Sequence, residues 1–211
     1  MLFRGIGWTV GSFGLGQGFR LACSIALARM LSPEVIGLMT LINSIKTGVD
    51  LISDVGITQS IIQNKDAEKP EFYNTAWTLK VIRGSVLFVV FLAASPFFAH
   101  LFDSRILLFI LPVFAFTFIF DGVSSVSPSL MQKRMKIAEL NIVAFAFEVF
   151  PGAILVIFAY FHRSIWSIIF GLLLATAIKA LITHFLLDDV RVRLRLSVLY
   201  AKEITRFGRW I

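Results

Sequence analysis

The residues of this sequence best suited to chemistry are charged side chains that fall inside long apolar stretches. They are Arg20, Lys46, Asp50, Asp54, Asp121, Glu148 and Lys179. If these stretches cross a membrane, each charge near the bilayer centre costs about 2.5 to 3.5 kcal/mol on insertion scales, so charges that remain there usually serve a function. Lys80 and Arg83 are weaker candidates, because near a span's end long side chains reach the interface.

The densest polar group lies in the second apolar stretch. Its members recur every three or four positions, as Asn43, Lys46, Thr47, Asp50, Ser53, Asp54 and Thr58. On a helix with 3.6 residues per turn, this spacing predicts one continuous polar face. Gln17, Arg20 and Ser24 form a similar face in the first stretch. Two such faces on neighbouring helices predict a shared hydrated cavity.

The cations of this cavity predict an anionic ligand. Arg20, Lys46 and Lys179 are the candidates for binding an anionic head group, since desolvated cations attract phosphate and arginine adds a bidentate donor fork. The alternative for Lys46 is a local pair with Asp50, four residues on, that only neutralises the helix.

The acidic residues predict ion coupling or gating. The candidates are Asp50, Asp54 and Glu148. Glu148 precedes Pro151 by three residues, and two alternatives remain open there. A broken helix would expose backbone carbonyls beside a carboxyl group that can protonate, whereas a simple kink would leave the helix continuous.

Composition predicts an all-α integral membrane protein with about six transmembrane helices. Of 211 residues, 57% are hydrophobic and 16% are charged, and the apolar blocks approach the roughly 20 residues that a spanning helix needs. The predicted spans are Ile6 to Met30, Val35 to Ile62, Ala76 to Phe98, Ile106 to Leu130, Leu140 to Phe161 and Trp166 to Leu187. For the second, a surface-lying amphipathic helix is the alternative, but its length favours a tilted span.

Positive charges in the loops predict an orientation with the N-terminus in the cytoplasm. The cytoplasmic cations would be Arg4, Lys65, Lys69, Lys133, Arg134, Lys136, Arg191, Arg193, Arg195, Lys202, Arg206 and Arg209, leaving Arg29, Arg105 and Arg163 outside. Topology then accounts for most of the net charge of +7. The basic stretch Val190 to Leu196 therefore favours anionic lipid head groups over nucleic acid as its partner.

Residues 1–187 are thus predicted to form a transmembrane lobe, and residues 188–211 a basic cytoplasmic segment leading to a seventh helix. The sequence predicts no metal site, cofactor or catalytic residue. Cys23 is the single cysteine, and the histidines, His100, His162 and His184, are scattered rather than clustered with acids as a glycosyl- or acyltransferase requires.

Several short segments together resemble one known family. They are Leu31 to Leu38 (LSPEVIGL), Ser53 to Ile57 (SDVGI), Gln63 to Asp66 (QNKD), Asn74 to Ala76 (NTA), Leu130 to Met135 (LMQKRM) and Arg206 to Trp210 (RFGRW). The chain resembles the N-terminal half of bacterial polysaccharide transporters, the oligosaccharide flippases of the multidrug/oligosaccharidyl-lipid/polysaccharide (MOP) exporter superfamily. Within SDVGI, the alternative for Asp54 is a conformational role, with Gly56 allowing close packing.

The resemblance implies a fold of two six-helix lobes around a central cavity, of which this chain supplies one. It implies a bacterial cytoplasmic-membrane protein that turns a polyprenyl-pyrophosphate-linked oligosaccharide to the outer leaflet for lipopolysaccharide, capsule or exopolysaccharide biosynthesis. The expected partners are that lipid-linked oligosaccharide, membrane lipids, a proton or sodium ion, and a second lobe or second copy. The alternatives are a cation-coupled multidrug exporter, a membrane-embedded transferase and an inactive half-length remnant.

Overall fold

The computed structural model describes the backbone of residues 2–208 and the side chains of residues 14–206. Within residues 2–208 the regular structure is helical, without strands. The helices are α1 (Leu2–Met30), α2 (Pro33–Ser53), α3 (Ile57–Gln63), α4 (Pro70–Leu101), α5 (Leu107–Val123), α6 (Ser127–Lys133), α7 (Ile137–Phe161), α8 (Ile165–Thr183) and α9 (Val198–Gly208). The Arg4 side chain, Arg209, Trp210 and the predicted start of a seventh helix lie outside the described residues.

Local signals explain where the long helices begin. Pro33 and Pro70 stand in the first turns of α2 and α4, where a missing N–H costs no hydrogen bond. Glu34 and Glu71 follow them and complement the positive end of each helix dipole. The predicted spans leave a loop at residues 63–75. Because α4 already begins at Pro70, the loop between α3 and α4 is shorter than this prediction.

Length and hydropathy make these helices membrane spans. Among the described residues, α2, α4, α7 and α8 are each long and apolar enough to cross a bilayer, and α5 with α6 forms a fifth candidate bent by 44°. The chain is therefore an all-α, multi-pass membrane protein, as predicted. Helix α1 has 29 residues, but much of it precedes the described side chains. The total of six spans stays a prediction.

The second predicted span, Val35 to Ile62, is not one continuous helix. Helix α2 ends at Ser53, and α3 begins only at Ile57. Between them Gly56 adopts a left-handed conformation with φ of 63°, and its N–H donates to the Asp54 carboxylate at 3.0 Å. This local turn competes with the helix, so the predicted polar face stops before Thr58.

The fourth predicted span, Ile106 to Leu130, is interrupted in the same way. Helix α5 ends at Val123 and α6 begins at Ser127. In the gap the Ser125 N–H donates not to a helical carbonyl but to the Thr183 hydroxyl on α8, at 2.9 Å. The two short helices α3 and α6 pack against each other beyond their breaks. By contrast, α7 continues through Pro151, so the broken-helix alternative at that residue is wrong.

The tightest helix contact joins α4 to α5 through two glycines. A Cβ on Gly84 would lie 2.5 Å from the Phe118 carbonyl oxygen and 2.9 Å from Cα of Gly122. Small residues of this kind let membrane helices approach closely. Phe91, Phe114 and Ile42 of α2 fill the adjoining core, while α1 packs on α7, α7 on α8, and α8 on α5.

We expect Gly84→Ala to destabilise the protein by about 1 to 3 kcal/mol, because the added methyl group meets backbone rather than a movable side chain. The matched control is Gly48→Ala on α2, where a Cβ meets nothing within 4 Å. Thermal unfolding of the purified full-length variants in detergent measures both. Equal midpoints for the two variants would contradict this account of the α4–α5 contact.

Candidate functional site

Three side chains on one face of α4 point at the two helix breaks. Trp77, Lys80 and Arg83 recur every third residue, which places them along a single stripe of the helix. Each donates hydrogen bonds to the C-terminal end of α2 or α5. These ends carry backbone carbonyls that have no partner within their own helix.

Arg83 caps the end of α2. Its Nη2 atom donates to the Asp50 carbonyl oxygen at 2.9 Å and to the Ser53 hydroxyl at 2.8 Å, and it lies 3.4 Å from the Asp50 carboxylate. The guanidinium is only 26% exposed. A cation at this position satisfies a carbonyl and complements the negative end of the helix dipole.

Lys80 and Trp77 cap the end of α5 in the same manner. Lys80 Nζ donates to the Ser124 carbonyl oxygen at 3.0 Å and also contacts the Ser124 hydroxyl. The Trp77 indole donates to the Val123 carbonyl oxygen at 2.9 Å, and Nε2 of His184 lies 3.0 Å from the same oxygen. Both interrupted spans are therefore closed by side chains of the unbroken helix α4.

Lys46 links the C-terminal ends of α2 and α5 by pairing with one carboxylate on each helix. Its Nζ lies 2.7 Å from the Asp50 carboxylate and 3.1 Å from that of Asp121 on α5, and 5.2 Å from the centre of the Phe118 ring. The i,i+4 pair of Lys46 with Asp50 thus exists, but it belongs to a network that also includes Asp121 and Arg83. This network, Lys46, Asp50, Lys80, Arg83 and Asp121, ties α2 to α4 and α5.

A small cavity of about 50 Å³ lies within this network. Asp50, Lys80, Arg83 and Asp121 contribute its polar walls, and Phe118 is among its apolar ones. A volume of this size holds a few water molecules, far less than a saccharide requires. The cavity is therefore large enough for water or a small ion, but not for a saccharide.

The remaining predicted residues lie apart from the network. Arg20 is exposed on α1. Lys179 on α8 stands over the Phe147 ring at 5.6 Å, and the Glu148 carboxylate lies against Gly16 of α1. Their predicted roles, the role of Asp54 and the cavity shared by α1 and α2 stay predictions.

Sequence reasoning missed the importance of Lys80 and Arg83, which it assigned to the membrane interface. The available signal was their spacing with Trp77 in a helix that faces two interrupted spans. In the described part of the chain, no group of three or more His, Cys, Asp or Glu side chains is placed to hold a metal ion.

Comparison with known proteins identifies the family. The model of a family described as "Polysaccharide biosynthesis protein" matches residues 26–211. The chain belongs to this family. It is 25% identical to the "Lipopolysaccharide biosynthesis protein WzxC" of Escherichia coli K12, over 92% of this chain and 39% of that protein.

A second relative is the "Uncharacterized membrane protein in cps region" of Klebsiella pneumoniae. It is 25% identical over 76% of this chain and 33% of its own length. The chain thus spans between a third and two fifths of the length of these relatives. No solved structure matches it. The chain is a membrane protein of polysaccharide biosynthesis.

We expect Arg83→Leu to lower stability by about 1 to 3 kcal/mol, because it leaves the Asp50 carbonyl with only the longer bond from Ser53 and removes one partner of the Asp50 carboxylate. Arg83→Lys should lose less, since the charge remains and only the donor fork is gone. The control is Lys179→Leu, which removes a cation that lies over a ring. Thermal unfolding of the full-length protein compares all three. If Arg83→Leu unfolds no earlier than Lys179→Leu, the capping role is wrong.

Proposed function

We propose that this chain forms one lobe of a flippase-type transporter that carries a lipid-linked saccharide across the membrane. The observation that carries the proposal is an exposed charge well inside α1, the helix that the sequence predicts as the first span. Arg20 is exposed on α1 and has no carboxylate partner among the described residues. It lies ten residues before the end of α1, which corresponds to about 15 Å of helix rise. Facing lipid, this cation would be costly.

The exposed face of α2 supports the same conclusion. Thr40, Asn43, Ser44 and Thr47 are exposed, whereas Ile42 on the opposite side is fully buried. The three hydroxyls donate to carbonyls of their own helix, so they need no water. The Asn43 amide has no hydrogen bond to any described residue, and it requires a polar environment. We therefore place a hydrated path along α1 and α2, closed by a second lobe or a second copy.

The charges along this path favour an anionic substrate group such as a pyrophosphate. Lys46 already contacts two carboxylates, so Arg20 and Lys179 are the cations more readily available. The names of both relatives, one in lipopolysaccharide biosynthesis and one in a cps region, support a surface polysaccharide as the product. We place the protein in a bacterial cytoplasmic membrane with its N-terminus inside, on the strength of the loop charges.

The network supplies a means of coupling transport to an ion. Asp50 and Asp121 share Lys46 at 2.7 and 3.1 Å. A proton or sodium ion at either carboxylate would weaken its hold on Lys46 and loosen α2 from α5. Because α2 and α5 both end one turn further on, this release would reach both helix breaks. Asp54 lies in the break between α2 and α3, and Glu148 lies on α7. Both remain candidates for binding the same ion.

Arg20→Gln in the full-length protein should reduce export of surface polysaccharide by about tenfold or more, the worth of one charge-assisted hydrogen bond. Arg20→Lys should retain part of the activity. Lipid-linked saccharide that remains in the inner leaflet measures the defect directly, at matched protein levels. The control is Arg29→Gln, at the end of the same helix. Unchanged export by Arg20→Gln would remove this residue from the path, and uptake or efflux of organic cations instead would favour the drug exporter.

Cysteines placed on the exposed face of α2 should react with a water-soluble maleimide. In a background with Cys23 and any other cysteine replaced, Ser44→Cys and Thr47→Cys should label much faster than Val90→Cys. Val90 is the matched control because it is 51% exposed on α4 but lies on an apolar face. Equally slow labelling at all three positions would place α2 against lipid and contradict the hydrated path.

A further inference from the structure

A second cavity lies where the chain leaves α8 and crosses the start of α4. Its volume is about 410 Å³, within the range of small-molecule sites. Six residues dominate its lining: Tyr73, Asn74, Arg191, Arg193, Leu194 and Arg195. Three arginines in the lining of one cavity are suited to a phosphate, which accepts bidentate hydrogen bonds from arginine.

The arginines are held on a fixed backbone. The segment 190–197 lies across α4. Polar side chains of α4 accept hydrogen bonds from its backbone N–H groups, as a neighbouring strand would in a sheet. Asn74 accepts from the Arg193 N–H at 2.8 Å, Thr78 from the Arg195 N–H at 3.0 Å, and Thr75 from the Ser197 N–H at 3.1 Å. Alternate residues are therefore tied down, and the arginine backbone is ordered before a ligand arrives.

The preceding turn fixes the start of this segment. Asp189 accepts a hydrogen bond from Arg134 at 2.7 Å, and this bond lowers the pKa of the Asp189 carboxyl. Val190 is buried in the core that α3, α4 and α6 share. The segment is thus anchored at both ends, by Val190 and by the buried Ile204 of α9.

The charge of the cavity is not neutralised within the lobe. Arg191 and Arg193 form no ion pair with any side chain in the described range, and Arg195 only approaches Glu71 at 4.0 Å, with both side chains well exposed. Exposed pairs of this kind contribute little. The cavity therefore presents a positive potential to whatever lies beside it.

Exposed apolar side chains next to the arginines favour a membrane surface as the neighbour of this cavity. Leu194, Leu196, Val198 and Leu199 are between 51% and 72% exposed, although this segment follows the last described span. Leucines and arginines that alternate in this way are typical of a segment lying in the membrane interface, with apolar groups in the acyl region and cations at the phosphates. A soluble anion would explain the arginines but not the exposed leucines.

We propose that this cavity binds the phosphate head group of an anionic membrane phospholipid, with Arg191, Arg193 and Arg195 on the phosphate and Leu194 and Leu196 beside its acyl chains. The site is separate from the transported substrate, so it stands whether or not the lobe belongs to a flippase. It would hold the end of α8 and the start of α9 at the membrane surface.

Titration of the purified full-length protein with phosphatidylglycerol, in detergent and followed by thermal unfolding, tests the proposal. Phosphatidylglycerol should raise the unfolding midpoint, whereas phosphatidylcholine and inorganic phosphate should not. The variant R191Q/R193Q/R195Q should bind phosphatidylglycerol on the order of a hundredfold more weakly, at about 1 kcal/mol per basic residue. The control K65Q/K69Q/K136Q removes the same charge from exposed loop positions outside the cavity and should respond like the unchanged protein.

Three outcomes would overturn the proposal. They are an equal response to phosphatidylcholine, a response to inorganic phosphate as strong as that to phosphatidylglycerol, and unchanged lipid affinity in the arginine variant. If that variant does not fold, Leu196→Cys carrying a polarity-sensitive fluorophore gives an independent reading in phosphatidylglycerol vesicles. Its emission should report an apolar environment, and Lys65→Cys an aqueous one. An aqueous signal at both positions would contradict lipid contact.

Discussion

A carbonyl group freed inside a bilayer has no water to bond with, and the described part of this lobe is arranged around that constraint. Both α2 and α5 stop within apolar stretches that the sequence predicts as spans, and the chain resumes as the short helices α3 and α6. Their terminal carbonyls are reached by Arg83 and Lys80 of α4, a helix long enough to pass both breaks without interruption. Without these donors the two breaks would be too costly to keep.

The capping cations in turn require acids. Asp50 and Asp121 supply them, and Lys46 lies between the two carboxylates. Close packing of α4 on α5 through Gly84 and Gly122 brings the donors within reach, since a larger residue at either position would separate the helices. The aromatic core and the polar network on the two sides of these glycines thus depend on the same short distance between α4 and α5.

The sequence predicted those features that depend on neighbours along the chain. Hydropathy predicted an all-α membrane protein, and the i,i+4 spacing of Lys46 and Asp50 gave their contact as one alternative. The break after Ser53 was also locally encoded, in an aspartate that bonds the N–H of a left-handed glycine two residues on. The SDVGI motif contributes to the family resemblance, and a conformational role for Asp54 was one alternative, but the polar stripe on either side predicted a continuous helix.

The features that escaped prediction depend on residues far apart in sequence. Asp121 pairs with Lys46, and Arg83 with Asp50, only because three helices meet. The bonds from Asn74 and Thr78 to the segment at residues 193 and 195 likewise join positions more than a hundred residues apart. Helical periodicity indicates which face of a helix is polar, but it does not indicate which other helix that face meets.

Charge balance separates the cations of the network from Arg20 and Lys179, which lie outside it. A helix C-terminus carries about half a negative charge, so the ends of α2 and α5 together contribute about one. Added to Asp50 and Asp121, they balance Lys46, Lys80 and Arg83. A neutral network attracts an anion only weakly, so under the proposed function an anionic substrate group would be drawn instead to Arg20, which the described acids leave unbalanced. Under the same proposal this neutrality would make the network responsive to a cation, since one added positive charge at either carboxylate would leave an excess that displacement of Lys46 relieves.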